Sequence, residues 1–161
     1  MFPDRSQNSH AFENMIEHLF LGQLLAEMWC AQGKVVEISK ADTDAWGYDL
    51  VLSSDAVTWH VQMKTSVPVN INMRLFDKQR ACVVAAIPTI ASEGIELSYR
   101  FWETKSPNGL PTAKRSVYRR GQTSRDERPE HRRVAAGLFD PKMDIHALAL
   151  RLFPHPSRRR R

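Results

Sequence analysis

Cysteine is nearly absent from this chain: Cys30 and Cys82 are the only two among 161 residues. Their separation matches no metal-ligand spacing, and each sits in an apolar stretch. Both are therefore expected as reduced, buried small side chains rather than as a disulfide or a zinc site. Long hydrophobic runs are also missing, and none approaches the roughly 18 residues that a membrane span needs. The opening MFPDRSQNSH lacks the charged-then-apolar order that directs secretion. No internal repeat is visible. These absences set the expectation of a cytoplasmic protein with no membrane partner.

What remains is ordinary in bulk and uneven in charge. Apolar residues make up 42% and charged residues 25%, and the length suits one domain with a real core. The net charge of +5 hides two halves of opposite sign. Residues 1–113 carry 9 Lys and Arg against 13 Asp and Glu, whereas residues 114–161 carry 14 against 5. A basic segment of this kind points to a polyanion, most often nucleic acid. The plainer reading is a solubilising surface with a disordered tail.

Hydrophobic periodicity orders the chain. Phe12, Ile16, Leu19, Phe20, Leu24, Met28 and Trp29 recur at helical spacing from His10 to about Ala31, with Ser9 as cap, Glu13 in the first turn and Gly33 as stop. KVVEI (Lys34 to Ile38) reads as a first strand. GYDLVLSSDAVTWHVQMKTS (Gly47 to Ser66) reads as a hairpin turning at Ser53, Ser54 and Asp55, ended by Pro68. Asn70 or Asn72 is placed to cap a short helix through Met73, Leu75 and Phe76. ACVVAAIP (Ala81 to Pro88) has the continuous apolar character of a strand buried on both faces, and IELSYRFWE (Ile95 to Glu103) alternates. VAAGLF suggests a short strand, and Asp144 a cap for a last helix with Ile145, Leu148, Leu152 and Phe153 on its apolar side. The order predicts an α/β sandwich around one mixed sheet.

The hairpin carries the chemistry. Burial of Leu50, Leu52, Val57, Trp59, Val61 and Met63 selects one register, which sends Asp49, Gln62 and Lys64 to the other face. A carboxylate, an amide oxygen and an ammonium then meet at one end of the hairpin. Such groups suit phosphodiester hydrolysis: oxygen ligands hold a hard divalent cation, and a lysine orients water or offsets charge on the phosphate.

Asp49 followed by Gln62-Met63-Lys64, with EHLFLGQLL, GYDLVL and HVQMKTS around them, resembles the PD-(D/E)xK nuclease superfamily. The resemblance covers about the first hundred residues. It implies a restriction-endonuclease-like αβββαβ core with a central mixed sheet flanked by helices, plus a basic C-terminal extension. In these terms residues 1–104 form the core, 105–154 an extension with the final helix in the same domain, and 155–161 a disordered Arg-rich tail. It also implies a DNA endonuclease of restriction, repair or mobile-element type using Mg²⁺, with Mn²⁺ able to substitute, and DNA as partner with RNA not excluded. Asp49 becomes the central metal ligand, Gln62 and Glu17 complete the metal set, and Lys64 is the catalytic lysine. Glu13 and Glu27 are alternatives to Glu17 for the helix acid. Gln62 departs from the usual acid, so a catalytically inactive DNA-binding or assembly module on the same fold is the alternative. Many such nucleases act as pairs, which makes a homodimer an open expectation.

Further candidates surround this set. His60 lies about 7 Å along the strand from Gln62 on the same face, to touch phosphate or to serve as a structural histidine. Thr65 and Ser66 are placed either to bond phosphates or to finish the strand. Lys114, Arg115, Arg119, Arg120, Arg125, Arg128, Arg132 and Arg133, with Tyr118 among them, are candidate nucleic-acid contacts. Trp46 is expected to pack beneath the hairpin.

Overall fold

The computed structural model describes residues 8–119 and 122–155. The first element is helix α1, Ser9–Cys30, which buries Ile16, Phe20, Leu24 and Met28 along one stripe at four-residue spacing. Asn8, not Ser9, holds the cap position, and Glu13 falls beyond the first turn. Gly33 ends the helix as expected, at φ +63°, and the Lys34 N–H returns to the Met28 carbonyl at 2.9 Å. Trp29 departs from the expectation. It is 69% exposed, because it lies one position off the stripe that meets the sheet.

Five strands form the main sheet: β1 (Glu37–Lys40), β2 (Leu50–Ser54), β3 (Val57–Lys64), β5 (Ala81–Ala91) and β6 (Gly94–Glu103), in the order β1-β2-β3-β5-β6. The pair β3·β5 is parallel and the others are antiparallel, so the sheet is mixed. The first strand starts three residues later than KVVEI suggested, since Val35 is exposed and only Val36 enters the core. At the β2–β3 hairpin a two-residue turn reverses the chain, with Asp55 at φ +52°, a conformation that aspartate tolerates better than most residues.

A parallel pair needs a crossover. Between β3 and β5 the chain makes strand β4 (Val69–Asn72) and a short 3-10 turn, Met73–Asp77, where an α-helix was expected. The Asn72 side chain caps that turn by accepting from Arg74 N–H at 3.0 Å. The basic segment is itself a sheet: β4 pairs with β8 (Gln122–Val134), and β8 with β7 (Thr112–Arg119). VAAGLF is not a strand. Val134 ends β8, and Ala136–Leu138 is a 3-10 turn. Helix α2, Ile145–Leu152, is capped by Asp144, whose Oδ1 accepts from Ala147 N–H at 2.8 Å.

Strand β5 shows how the layers divide. Cys82, Val84 and Ala86 join a core with α1, α2, Leu50, Leu52, Trp59 and Val61, while Ala81, Val83 and Ala85 join a second core with Val69, Ile71, Leu75 and Val134. Period-two alternation thus feeds one strand into both cores, which is why it reads as an unbroken apolar run. Both helices lie on the first face. The small sheet, not a helix, covers the second. Cys82 is buried, and burial pushes its thiol pKa well up; Cys30 is exposed on α1, against expectation. None of the described helices is long and apolar enough to cross a membrane. Of the tail expected at 155–161, only His155 is among the described residues, and 156–161 lie outside them.

Candidate functional site

The expected hairpin register holds, with Leu50 opposite Val61 and Leu52 opposite Trp59. At Asp49 it breaks. The Asp49 N–H donates to the Val61 carbonyl at 2.9 Å although Leu50 is already the ladder partner of Val61. Two residues of one strand therefore face one of the other, which is the count of a β-bulge. On its other side Asp49 stays regular, accepting from Ala41 N–H through its carbonyl at 2.9 Å. With the ladder interrupted there, strict alternation no longer fixes which way the Asp49 carboxylate points.

Asp49 consequently lines a cleft of about 380 Å³ with Glu17, Glu13, His10, Lys64 and Thr65. Its Oδ2 accepts from the Met63 N–H at 2.6 Å, a bond that fixes the carboxylate beside the strand end. His10, Glu13, Asn14 and Glu17 stand at three- and four-residue spacing on α1, so one helix face supplies that wall. Glu17 forms an ion pair with Lys40 at the end of β1. Glu27 lies elsewhere. Its carboxylate meets His146 Nδ1 of α2 at 2.7 Å and accepts from Gln32 at 3.2 Å, and these bonds hold its pKa below the ordinary value. Of the three helix acids, Glu17 and Glu13 reach the cleft.

Gln62 faces a second cavity, of about 350 Å³, between β3 and β4, where Asn70, Asn72, Arg128 and His131 are its neighbours. Lys64 and Ser66 line both spaces. The Gln62 side chain is 6% exposed and its Oε1 has no hydrogen-bond partner; the buried Asn70 Oδ1 is likewise unpartnered. Sequence reading missed this amide group, because Asn70 and Asn72 read only as caps.

The other candidates disperse. His60 packs edge-on against Tyr48 at 4.8 Å, and its Nδ1 stands 3.4 Å from the Arg80 carbonyl, with burial lowering its pKa. Lys114, Arg125 and Arg133 line an open groove with Thr112, of about 440 Å³, and Arg115 is exposed on β7. Arg132 spends Nη1 on the carbonyls of Pro129 (2.8 Å) and His131 (3.1 Å). Arg120 lies outside the described residues, and Arg119 is described only as the end of β7. Trp46 is 49% exposed rather than packed beneath the hairpin, with Lys78 Nζ 4.5 Å and Arg74 5.8 Å from its ring.

Three carboxylates line this cleft, Asp49, Glu13 and Glu17, and an open Mg²⁺ site needs only one or two of them, taking its remaining oxygens from water and phosphate. Among the described residues no three His, Cys, Asp or Glu side chains converge to hold a metal unaided. The donor set therefore suits a cation shared with a substrate, not a closed structural centre. No family model, curated protein or solved structure matches this chain.

Proposed function

We propose that the chain is a metal-dependent nucleic-acid phosphodiesterase, a DNA endonuclease of the PD-(D/E)xK type on a restriction-endonuclease-like core. The observation that carries this reading is that Asp49, just before β2, Glu17 of α1 and Lys64 of β3 line one cleft. The mixed sheet with α1 against its hairpin is compatible with that core. Asp49 and Glu17 would hold Mg²⁺ or Mn²⁺; bound there, the ion polarises a phosphate and acidifies a water. Asp49 is held in place by the Met63 N–H. Lys64 offsets the negative charge that grows on the phosphate oxygens and orients the attacking water. Glu17 would release Lys40 to hold the ion, since Lys40 now pairs with its carboxylate. Thr65 and Ser66, at the mouth, donate hydroxyl hydrogens to the flanking backbone.

The purified chain is expected to nick DNA with Mg²⁺ or Mn²⁺. Lys64→Ala is expected to lower the cutting rate at least about a hundredfold while DNA binding persists. Absence of cleavage on single- and double-stranded DNA and RNA with either metal overturns the reading. One observation favours a second reading, the catalytically inactive binding module: Glu17 already has a partner in Lys40. In that case Asp49→Ala leaves nucleic-acid binding unchanged and no metal raises it.

A further inference from the structure

We propose that the outward side of α1 pairs antiparallel with the same side of a second copy of this chain, and that Trp29 of each copy enters an apolar cavity beside Ala11 of the other.

The starting point is a helix with two apolar sides. Ile16, Phe20, Leu24 and Met28 meet the sheet. Ala11, Met15, His18, Gly22, Leu25 and Trp29 occupy the opposite side, and all six are exposed. Trp29 is 69% exposed, Leu25 40% and Met15 39%. A solvated helix side ordinarily carries charge. This helix contains no Lys or Arg, and its three acids lie elsewhere, Glu13 and Glu17 in the cleft wall and Glu27 against His146. His18, the one titratable group among the six, has its Nδ1 2.6 Å from the Asn14 carbonyl. From Ala11 to Trp29 the strip runs about 27 Å at a rise of about 1.5 Å per residue. An apolar strip of that length without charge marks a contact site.

Spacing identifies the occupant. The six positions follow one another at intervals of four, three, four, three and four, the seam spacing of paired helices. That series reads the same in both directions. In an antiparallel pair Trp29 therefore faces Ala11, Leu25 faces Met15 and Gly22 faces His18. The bulky Trp29 and His18 each meet a small residue, which lets the two helices approach closely. Charge points the same way. A two-fold pair sets one surface against its own copy, and on a chain of net charge +5 a face without charge escapes the repulsion this brings.

A cavity of about 450 Å³ lies at the Ala11 end, where Phe12, Met15, Ile90 and Ile95 line it with Ala11. It has the size and apolar walls that suit a ring system. Ser92 and Glu93 also line it and carry oxygen acceptors for the N–H of a buried indole. Trp29 of the second copy arrives opposite Ala11, so the contact extends from α1 to the β5–β6 hairpin. A large aromatic seated in a pocket is the kind of residue that dominates the strength of an interface. Nucleic acid would need positive charge on this side of α1. A membrane surface would be met by Lys and Arg beside the apolar strip, and α1 has neither. The cleft wall of His10, Glu13, Asn14 and Glu17 stands on a different side of the helix, so pairing does not use it.

The test is sedimentation equilibrium of the full chain from about 1 to 200 μM, the range suited to a contact of this size. A thiol reductant is included because Cys30 is exposed. A chelator is present and nucleic acid is not, so the outcome is independent of the nuclease reading. The parent chain is expected to pass from monomer to dimer across this range. Met15→Lys and Leu25→Glu are each expected to remain monomeric. Their equimolar mixture is expected to pair, because the new lysine of one chain meets the new glutamate of the other. Trp29→Ser is expected to weaken pairing at least about tenfold. All three positions are exposed in the single chain, so each variant should keep the thermal midpoint of the parent at the lowest concentration. A parent chain that stays monomeric throughout overturns the proposal. So does pairing that survives in both charged variants, a mixture that fails to pair, or a Trp29→Ser chain that pairs as the parent does.

Discussion

At the scale of single residues, the position of Asp49 depends on a neighbour with no side chain. Gly47 is buried at φ +72°, and a Cβ there would stand 2.7 Å from Asn72 Cβ. Only glycine lets the loop before β2 press this closely against the end of β4, two residues ahead of Asp49. Gly47→Ala combines a strained φ with a close contact and is expected to cost roughly 1–3 kcal/mol, read as a lower urea midpoint at unchanged slope. A midpoint matching the parent chain would mean that the loop is not pinned there. His60 makes a second residue-level prediction. Burial, the largest cause, depresses its pKa; the Lys78 charge adds to that, and the bond to the Arg80 carbonyl opposes it. The unfolded chain binds this proton more readily, at the ordinary value of 6.5. The contribution of His60 to stability is thus complete above that pH and is lost as pH falls through the lower folded value. Between pH 8 and 5 the thermal midpoint should fall further for the parent chain than for His60→Gln, and equal losses would remove the assignment.

At the scale of elements, most of what could be read from the sequence was what hydrophobic periodicity controls. The long helix, the hairpin register, the doubly buried β5 and the Asp144 cap all follow from which side chains must leave water. Asp144→Ala removes one acceptor from the first turn of α2 and is expected to cost about 1 kcal/mol. The helix should nevertheless persist, because Leu148 and Leu152 are buried and Trp59 Nε1 donates to the Leu152 carbonyl at 2.7 Å. A loss above about 2 kcal/mol in chemical denaturation would show that the cap, and not the packing, holds α2. What could not be read has equally physical causes. The β7–β8 hairpin is rich in charged residues, and among its described side chains only Ala113 and Val134 are buried apolar ones, so it left little apolar trace. The crossover lacked the length of apolar pattern that separates a strand and a 3-10 turn from a helix. The bulge at Asp49 is a backbone event that alternation cannot express. That Asp49 and Lys64 would meet at one end of the hairpin was therefore legible, while the second cavity lined by Gln62 was not.

At the scale of the whole molecule, the charge asymmetry of the sequence becomes a spatial one. The two helices and the acids of the cleft lie toward the first face, and among the described residues the small sheet over the second carries seven Lys and Arg against three Asp and Glu. Lys114, Arg125 and Arg133 share a groove there, and Arg115 is exposed beside it. If this surface tracks a phosphate backbone, binding must release counterions, and the logarithm of the binding constant falls linearly with the logarithm of salt, by about 0.9 for each phosphate neutralised on a duplex. Replacing Lys114, Arg115, Arg125 and Arg133 together by alanine should lower that slope by up to about 3.6, measured by fluorescence anisotropy on a DNA duplex between roughly 50 and 200 mM salt. Loss of net charge alone does not produce the same change, since screening limits the reach of distant charges to about 10 Å. Replacing the exposed Lys105 and Lys142 removes two positive charges elsewhere on the surface and should leave the slope unchanged. An unaltered slope in the fourfold variant, or an equal fall in the control, would place the nucleic-acid contacts away from β7 and β8 and reduce the hairpin to a solvated cover for the second core.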